Sequence, residues 1–497
     1  MQYYISSRNK NNAVTGHEAI IKGLADDGGL YTPLHLSFHI NAADLLHLSY
    51  QETALLILKG FFPDFSDEDL KECVYGAYNE RFDNPAIVPL TRISDAHLME
   101  LYHGPTSAFK DLALTILPRL MSKSYAMENR NDTIAILTAT SGDTGKAALS
   151  GFADVPHTAL TVFYPHVGVS PIQKKQMETA EGNNVCVIAV NGNFDDCQRM
   201  VKQAVTSKEV LDACDGVVIS SANSINIGRL VPQIVYYCTS YAKLVNDGVI
   251  ACGNPINFAV PTGNFGDILA GWLAKKAGLP IHKLICASNT NNVLTNFLRT
   301  GTYSIHRDFH TTMSPSMDIL ISSNLERLLF LASDYDDIKV RTWMQDLQTE
   351  GSYTIDDDLL HTIQSDFAGV WTDEDTCSST IHDLYEKEKV LIDPHTSIAL
   401  SGLRQYRKET GDPTPAVVLS TASPYKFCRS VYRSLTDIDD PDDFDAMDKL
   451  NALTGVKVPK NLADLKTKPV RFHETIEVKD GLSRIASRIE EISHENH

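Results

Sequence analysis

The chain has 497 residues, 43% of them hydrophobic and 22% charged, a globular composition with enough length for two to four domains. Its formal net charge of −19 argues against a nucleic-acid or anionic-membrane surface, because such surfaces are basic. The nine cysteines include no CxxC pair, which argues against a zinc ribbon or a disulfide framework and for reduced thiols. No apolar run approaches the roughly 20 residues that a membrane span needs. The first twelve residues show no targeting pattern, so a cytoplasmic protein is expected.

Residues 1–95 are predicted to be mostly helical. Thr15 with Glu18, and Ser49 with Glu52, fit capping boxes before apolar runs, and Ser66 with Asp69 opens a third helix reaching Tyr78. Gly28, Gly29 and Pro33 break the chain between the first two helices. Nothing in this region suggests a complete reactive site, so it reads as an accessory domain.

Next comes His103-Gly104-Pro105-Thr106-Ser107-Ala108-Phe109-Lys110-Asp111, a polar turn that ends in a lysine just before the apolar run from Leu112. The turn places Lys110 at or near the start of a helix. A lysine behind Phe109 and near the positive end of a helix dipole has reason to lose its proton. A neutral amine is what a Schiff base with a carbonyl cofactor requires. Most lysines are solvated surface residues, and on its own the position reads as one of them.

From about residue 96 short β-branched runs alternate with helix-length segments. They lie at 133–137, 160–163, 185–190, 217–219, 257–260, 284–286 and 417–419. Uninterrupted apolar runs suit strands buried on both faces, and alternation with helices predicts an α/β fold with a largely parallel sheet. In such folds ligands sit at the carboxyl ends of strands. The expected division is an accessory domain at 1–95, a catalytic region at 96–445 and a C-terminal segment at 446–497.

Four loops follow predicted strands. Thr140-Ser141-Gly142-Asp143-Thr144-Gly145-Lys146 places hydroxyls and glycine amides at a helix start, suited to a carboxylate or phosphate; a well-capped turn is the equal alternative. It lacks the residues of a Walker A loop. Asn223-Ser224-Ile225-Asn226-Ile227-Gly228-Arg229 offers an arginine that can hold a phosphate through two parallel hydrogen bonds, or else a capped helix with a surface arginine. Gly263-Asn264-Phe265-Gly266 has two glycines whose neighbouring N–H groups can converge on one anion. Ser420-Thr421-Ala422-Ser423-Pro424-Tyr425-Lys426-Phe427 brings a hydroxyl pair to a strand end, where a heteroaromatic nitrogen could meet it, although turn formation is the commoner use. His395, in Asp393-Pro394-His395-Thr396, reads better as part of a capped helix start than as a ligand. No HExxH occurs, and the acidic run between Asp437 and Asp448 reads as a solvated face.

In this order, HGPTSAFKD at 103–111, TSGDTG at 140–145, NSINIGRLVPQ at 223–233, PTGNFGDILAG at 261–271, SPSMDILISSNLERLLF at 314–330, DPHTSIAL at 393–400 and STASPYKF at 420–427 resemble the threonine synthase family. The stretch YYISSRN…GLADDGGLYTP within 3–33 extends the resemblance to nearly the whole chain, in the longer form that carries an N-terminal helical domain. The resemblance implies a fold-type II pyridoxal 5'-phosphate (PLP) enzyme with two lobes. Lys110 matches the lysine that carries the cofactor as a Schiff base, and Gly263, Asn264, Phe265 and Gly266 match the cradle for its phosphate. Asp143 matches the residue on the 3'-oxygen side of the cofactor, and Ser141, Gly142 and Thr144 the loop facing the substrate carboxylate. Asn223, Ser224, Asn226 and Arg229 are the candidates for a substrate phosphate, with Lys146 a weaker one. Thr421 is the candidate partner of the pyridine nitrogen and Ser420 the second choice. Many relatives read TAHPAKF where this chain has Ser423, so any acid/base role of that histidine is absent here or moved.

The reaction that the resemblance implies is O-phospho-L-homoserine plus water to L-threonine and phosphate, by a monomer or homodimer with no nucleic-acid or membrane partner. A serine/threonine dehydratase is the alternative enzyme and would not need Arg229 or Asn226. A catalytically silent paralogue is the alternative from outside enzymes.

Overall fold

The computed structural model describes residues 2–36, 38–130, 132–140 and 142–495. Two sheets carry the architecture. The larger has six strands in the order Phe367–Trp371, Ile281–Ser288, Ile256–Pro261, Ala416–Ser420, His97–Glu100 and Leu90–Arg92. All of its pairings are parallel except the last. The smaller has five parallel strands in the order Thr475–Glu477, Val185–Asn191, Thr158–Pro165, Thr133–Ala139 and Val217–Ser220.

Six of the seven strands expected from apolar runs lie inside the two sheets, and the seventh, Val217–Ser220, is an edge strand with Val218 and Ile219 half-buried. Thr158–Pro165, Ile256–Pro261 and Ala416–Ser420 are buried at every position. The strands the pattern missed are short edge pieces with mixed exposure: Leu90–Arg92, Phe367–Trp371 and Thr475–Glu477. His97–Glu100, also missed, is only four residues long. The hairpin of Leu90–Arg92 and His97–Glu100 straddles residue 95, so the expected boundary there falls inside the larger sheet. The C-terminal segment adds its strand to the smaller sheet and packs the helix Gly481–Glu495 against it, burying Ile485 and Ile489 with Val190 and Cys197.

The N-terminal region contains the three expected helices. Gly16–Lys22 and Tyr50–Phe61 begin with complete capping boxes, and Asp67–Ala77 is capped by Ser66. It also contains a three-stranded antiparallel sheet in the order Asn9–Thr15, Tyr3–Ser6 and Tyr31–Pro33. Asn9–Thr15 is polar and mostly exposed, so its sequence carries no apolar signal. No helix among the described residues is long and apolar enough to cross a membrane.

Candidate active site

Strand order decides which loops meet. In the larger sheet Ala416–Ser420 lies between Ile256–Pro261 and His97–Glu100, so the turns after these three parallel strands share one edge. They hold Gly263 to Gly266, Thr421 to Phe427 and residues 103–111. In the smaller sheet Thr133–Ala139 lies beside Val217–Ser220, which joins the loop of Asp143 to the loop of Arg229.

Lys110 is presented by a turn with little freedom. Asp111, fully buried, accepts hydrogen bonds from the Thr106 N–H at 2.8 Å and the Thr106 hydroxyl at 2.6 Å. A Cβ on Gly104 would lie 2.6 Å from the Asp111 Cβ, so the turn closes only around glycine. Ser107 adopts a left-handed φ of 59°, an unfavourable conformation for a residue with a Cβ. The Phe109 N–H donates to the Thr421 carbonyl at 2.8 Å, and the Ser423 N–H to the Ser107 carbonyl at 3.1 Å. Lys110 then opens the helix Asp111–Leu114, with its Nζ 5.0 Å from the centre of the Phe109 ring. Burial pushes its amine down to about 8, helped by the charges of Arg229 and Lys426 and opposed by Asp143.

The two sheets are tied by a buried ion pair. Lys426 Nζ lies 2.6 Å from Asp143 Oδ1 and donates to the Thr106 carbonyl at 3.0 Å. Gln173 donates to the same Asp143 oxygen at 2.8 Å. Burial alone would raise the Asp143 carboxyl, but the cations Lys426 and Lys110 hold it well below the usual carboxylate range. Sequence reading assigned Lys426 no role. The available signal was a lysine between two aromatic residues just past a fully buried strand, a place where an ammonium needs a carboxylate partner. Around Asp143, the Thr140 hydroxyl accepts from the N–H groups of Gly142 and Gly145, and a Cβ on Gly142 would lie 2.5 Å from Gln173. Thr144 is half-buried in the first turn of the helix Asp143–Phe152. Ser141 lies outside the described residues. Lys146 is half-buried with its amine lowered by burial to about 8, and no ion pair among the described residues reaches it.

The turn from Gly263 to Gly266 is made by backbone. A Cβ on Gly263 would approach the Ser316 carbonyl to 2.8 Å. Phe265 takes φ 61° immediately before the helix Gly266–Lys276, a conformation that costs roughly 1–3 kcal/mol in a residue with a Cβ. The strain is held by burial of the Phe265 ring against Phe367, and by Asn324, whose N–H and side-chain amide both donate to the Asn264 carbonyl. The Asn264 side chain is exposed.

Arg229 is 5% exposed. Its guanidinium donates to the Ala222 carbonyl at 3.1 Å, and no carboxylate among the described residues pairs with it. Burial alone lowers it to about 10. Asn226 is fully buried and committed: its side chain caps Gly228 and donates to the carbonyls of Ile20 and Ser221. Asn223 is exposed, and the Ser224 hydroxyl sits 3.4 Å from that of Ser323. Arg229 is thus near enough for its charge to lower the Lys110 amine, while Asn226 holds the loop to the N-terminal helix Gly16–Lys22.

At the end of Ala416–Ser420 the hydroxyls differ. Ser420 is bonded to the Thr396 hydroxyl at 2.9 Å, whereas the Thr421 hydroxyl has no partner among the described residues. His395 sits in the capped start of the helix Pro394–Thr410, between Asp393 and the Ser316 N–H. Ser423 caps the turn that carries Lys426.

A carbonyl cofactor bearing a phosphate and a ring nitrogen fits this set: a depressed lysine amine, a turn too tight for a Cβ at Gly263 beside a helix start, and a strand-end hydroxyl with no protein partner among the described residues. Fold and site together define a pyridoxal-phosphate-dependent enzyme of fold type II. Residues 3–78 match the family described as Threonine synthase N terminus, residues 84–422 Pyridoxal-phosphate dependent enzyme, and residues 396–481 Threonine synthase, C-terminal. Threonine synthase of Saccharomyces cerevisiae is 36% identical over 88% of this chain and 89% of its own length. Human Threonine synthase-like 1 is 37% identical over 84% of this chain, which spans only 58% of that longer protein. The crystal structure of PLP-bound threonine synthase from Brucella melitensis superposes with a TM-score of 0.88 at 35% identity, covering 99% of this chain and 100% of that one. The chain belongs to the threonine synthase family.

Proposed function

We propose that this enzyme converts O-phospho-L-homoserine and water to L-threonine and phosphate. The observation that carries the reading is Arg229: a buried cation without a carboxylate partner, close enough for its charge to act on Lys110, and on a different loop from the glycine cradle. A substrate with its own phosphate accounts for a second anion site that a dehydratase acting on a free hydroxyl amino acid would not use. The backbone N–H groups of Gly263 to Gly266 hold the cofactor phosphate, Thr421 meets the ring nitrogen, and Asp143 flanks the 3'-oxygen. When bound, pyridoxal phosphate supplies an electron sink for charge developing at the substrate α-carbon. Lys110 Nζ, neutral above about pH 8, takes the α-proton and returns it at the end. Arg229 holds the phosphate that leaves Cγ, with Ser224 and Asn223 beside it, while Asn226 keeps the loop in place. Gly142 and Thr144 face the substrate carboxylate. The same reading makes the protein a cytoplasmic monomer or homodimer.

The test is to supply purified protein with pyridoxal phosphate and O-phospho-L-homoserine and to measure phosphate and threonine in one tube. Equal amounts of both are expected. Phosphate with 2-oxobutyrate would mean elimination without hydration and would support the dehydratase; neither product from pyridoxal-loaded protein would support the silent paralogue. Lys110→Ala is expected to lower turnover by at least about 10³-fold, and undiminished turnover by that variant would remove Lys110 from the mechanism.

A further inference from the structure

Arg327 is the largest fully buried side chain among the described residues, and no carboxylate there pairs with it. It lies on the helix Leu325–Ala332. Its three guanidinium nitrogens reach two other segments and the cap of its own helix. Nε donates to the Tyr31 carbonyl in the N-terminal sheet at 3.0 Å, Nη1 to the Asn324 side chain, and Nη2 to the Ile225 carbonyl. Each recipient matters. Ile225 lies within the loop that ends in Arg229. Asn324 donates to the carbonyls of both Ser224 and Asn264, joining that loop to the cofactor cradle. Tyr31 belongs to a sheet clamped from the other side by Glu326, which accepts two hydrogen bonds from Arg8, at 2.9 and 2.8 Å, and one from Ser7. The opposite flank of the loop is held by Asn226 on the Ile20 carbonyl and Ser220 on the Ile21 carbonyl.

We propose that Arg327 is a positioning residue for the substrate phosphate: it fixes the Arg229 loop at a set distance from the cofactor cradle, using the N-terminal sheet as its third anchor. A planar guanidinium with donors on three sides can serve three acceptors at fixed angles, which an ammonium or an apolar side chain cannot. The N-terminal region is thereby part of the binding site's frame. The inference rests on the assignment of Arg229 to a substrate anion.

The experiment compares wild type, Arg327→Lys and Arg8→Ala as holoenzymes, with inorganic phosphate titrated by calorimetry beside steady-state kinetics. For Arg327→Lys, phosphate affinity is expected to fall and KM to rise about tenfold, with kcat and the affinity of apoenzyme for pyridoxal phosphate changing less than about threefold. Arg8→Ala, which loosens the sheet from outside, is expected to show the same split at about threefold. A merely structural arginine would lower the melting temperature and leave phosphate affinity alone, and a folded Arg327→Lys with wild-type phosphate affinity and KM overturns the proposal. If Arg327→Lys does not fold, unchanged phosphate affinity in Arg8→Ala overturns it. A wild-type protein that binds no phosphate removes the Arg229 assignment and this inference together.

Discussion

Lys426 and Arg229 are both buried cations, on loops that meet around Lys110, yet their surroundings are opposite. Lys426 has a carboxylate at 2.6 Å and a carbonyl at 3.0 Å, and its partner Asp143 is held again by Gln173. Arg229 has one carbonyl and no acid. A charge that is fully compensated within the protein belongs to the scaffold. One left without its counter-charge carries a desolvation penalty that a bound anion relieves. The contrast separates a residue that joins the two sheets from one whose charge the protein leaves uncompensated; in the sequence only Arg229 stood out, and Lys426 read as an ordinary basic position.

The widest separation between the two should come from stability. Lys426→Met takes from buried Asp143 its ion-pair partner, leaving only the charge of Lys110 and the Gln173 hydrogen bond, and is expected to destabilise the fold by about 3–5 kcal/mol, read from urea unfolding. Adding Asp143→Asn should recover a large part of that loss, and no recovery would mean that the pair is not the cause. Arg229→Met should do the reverse. Removing a buried, unpaired charge should leave stability within about 1 kcal/mol of wild type, while inorganic phosphate binds about 100-fold more weakly. Calorimetric titration beside unfolding would expose any variant that loses both together.

Lys110 feels the charge of both cations and sharpens the contrast through pH. Its amine falls from an ordinary 10.5 to about 8, driven by burial, with Arg229 and Lys426 lowering it and Asp143 and Asp111 raising it. The neutral form, the one able to condense with an aldehyde, therefore grows in as pH rises through about 8. The rate at which apoenzyme takes up pyridoxal phosphate should climb over that range and level off above it. In Lys426→Met one lowering charge is gone and Asp143 is released from its partner, so the same profile should move to higher pH. The linkage has a definite sign: between about 8 and 10.5 the unfolded chain holds the proton that the folded one has lost, so this group's contribution to stability improves with rising pH. The smallest effect expected is that of Asn226→Ala, about 1–2 kcal/mol from loss of a helix cap and its tie to Ile20, with weaker phosphate binding following from a looser loop. An Asn226→Ala protein with lower stability but wild-type phosphate affinity would confine that residue to capping.

Much of this was legible along the chain because the signals are local. Buried parallel strands announced themselves as apolar runs, and capping boxes at Thr15 and Ser49 marked helix starts with their own side chains. Lys110 at the head of a helix followed from the turn before it and the apolar run after it. What stayed hidden was non-local. The strand Asn9–Thr15 is polar because one side faces water, and His97–Glu100 is four residues long, so neither carries enough period to be seen. Lys426 was passed over because its meaning lies in Asp143, 283 positions earlier in the chain. Asn226 read as a ligand to phosphate because an amide beside an arginine has that chemistry, and only the packing of the helix Gly16–Lys22 against it shows where its donors go.

The sequence by itself pointed to the fold class, a lysine at a helix start, a glycine-rich turn after a buried strand and an arginine in a capped loop. Each of these rests on hydrophobic period, capping chemistry or backbone conformation within a dozen residues. Only the tertiary structure decided which buried cation is paired, which asparagine is spent on the scaffold, and that the N-terminal sheet borders the Arg229 loop. Those outcomes depend on which segments the strand order brings together, and on how many partners each polar group finds once water is excluded.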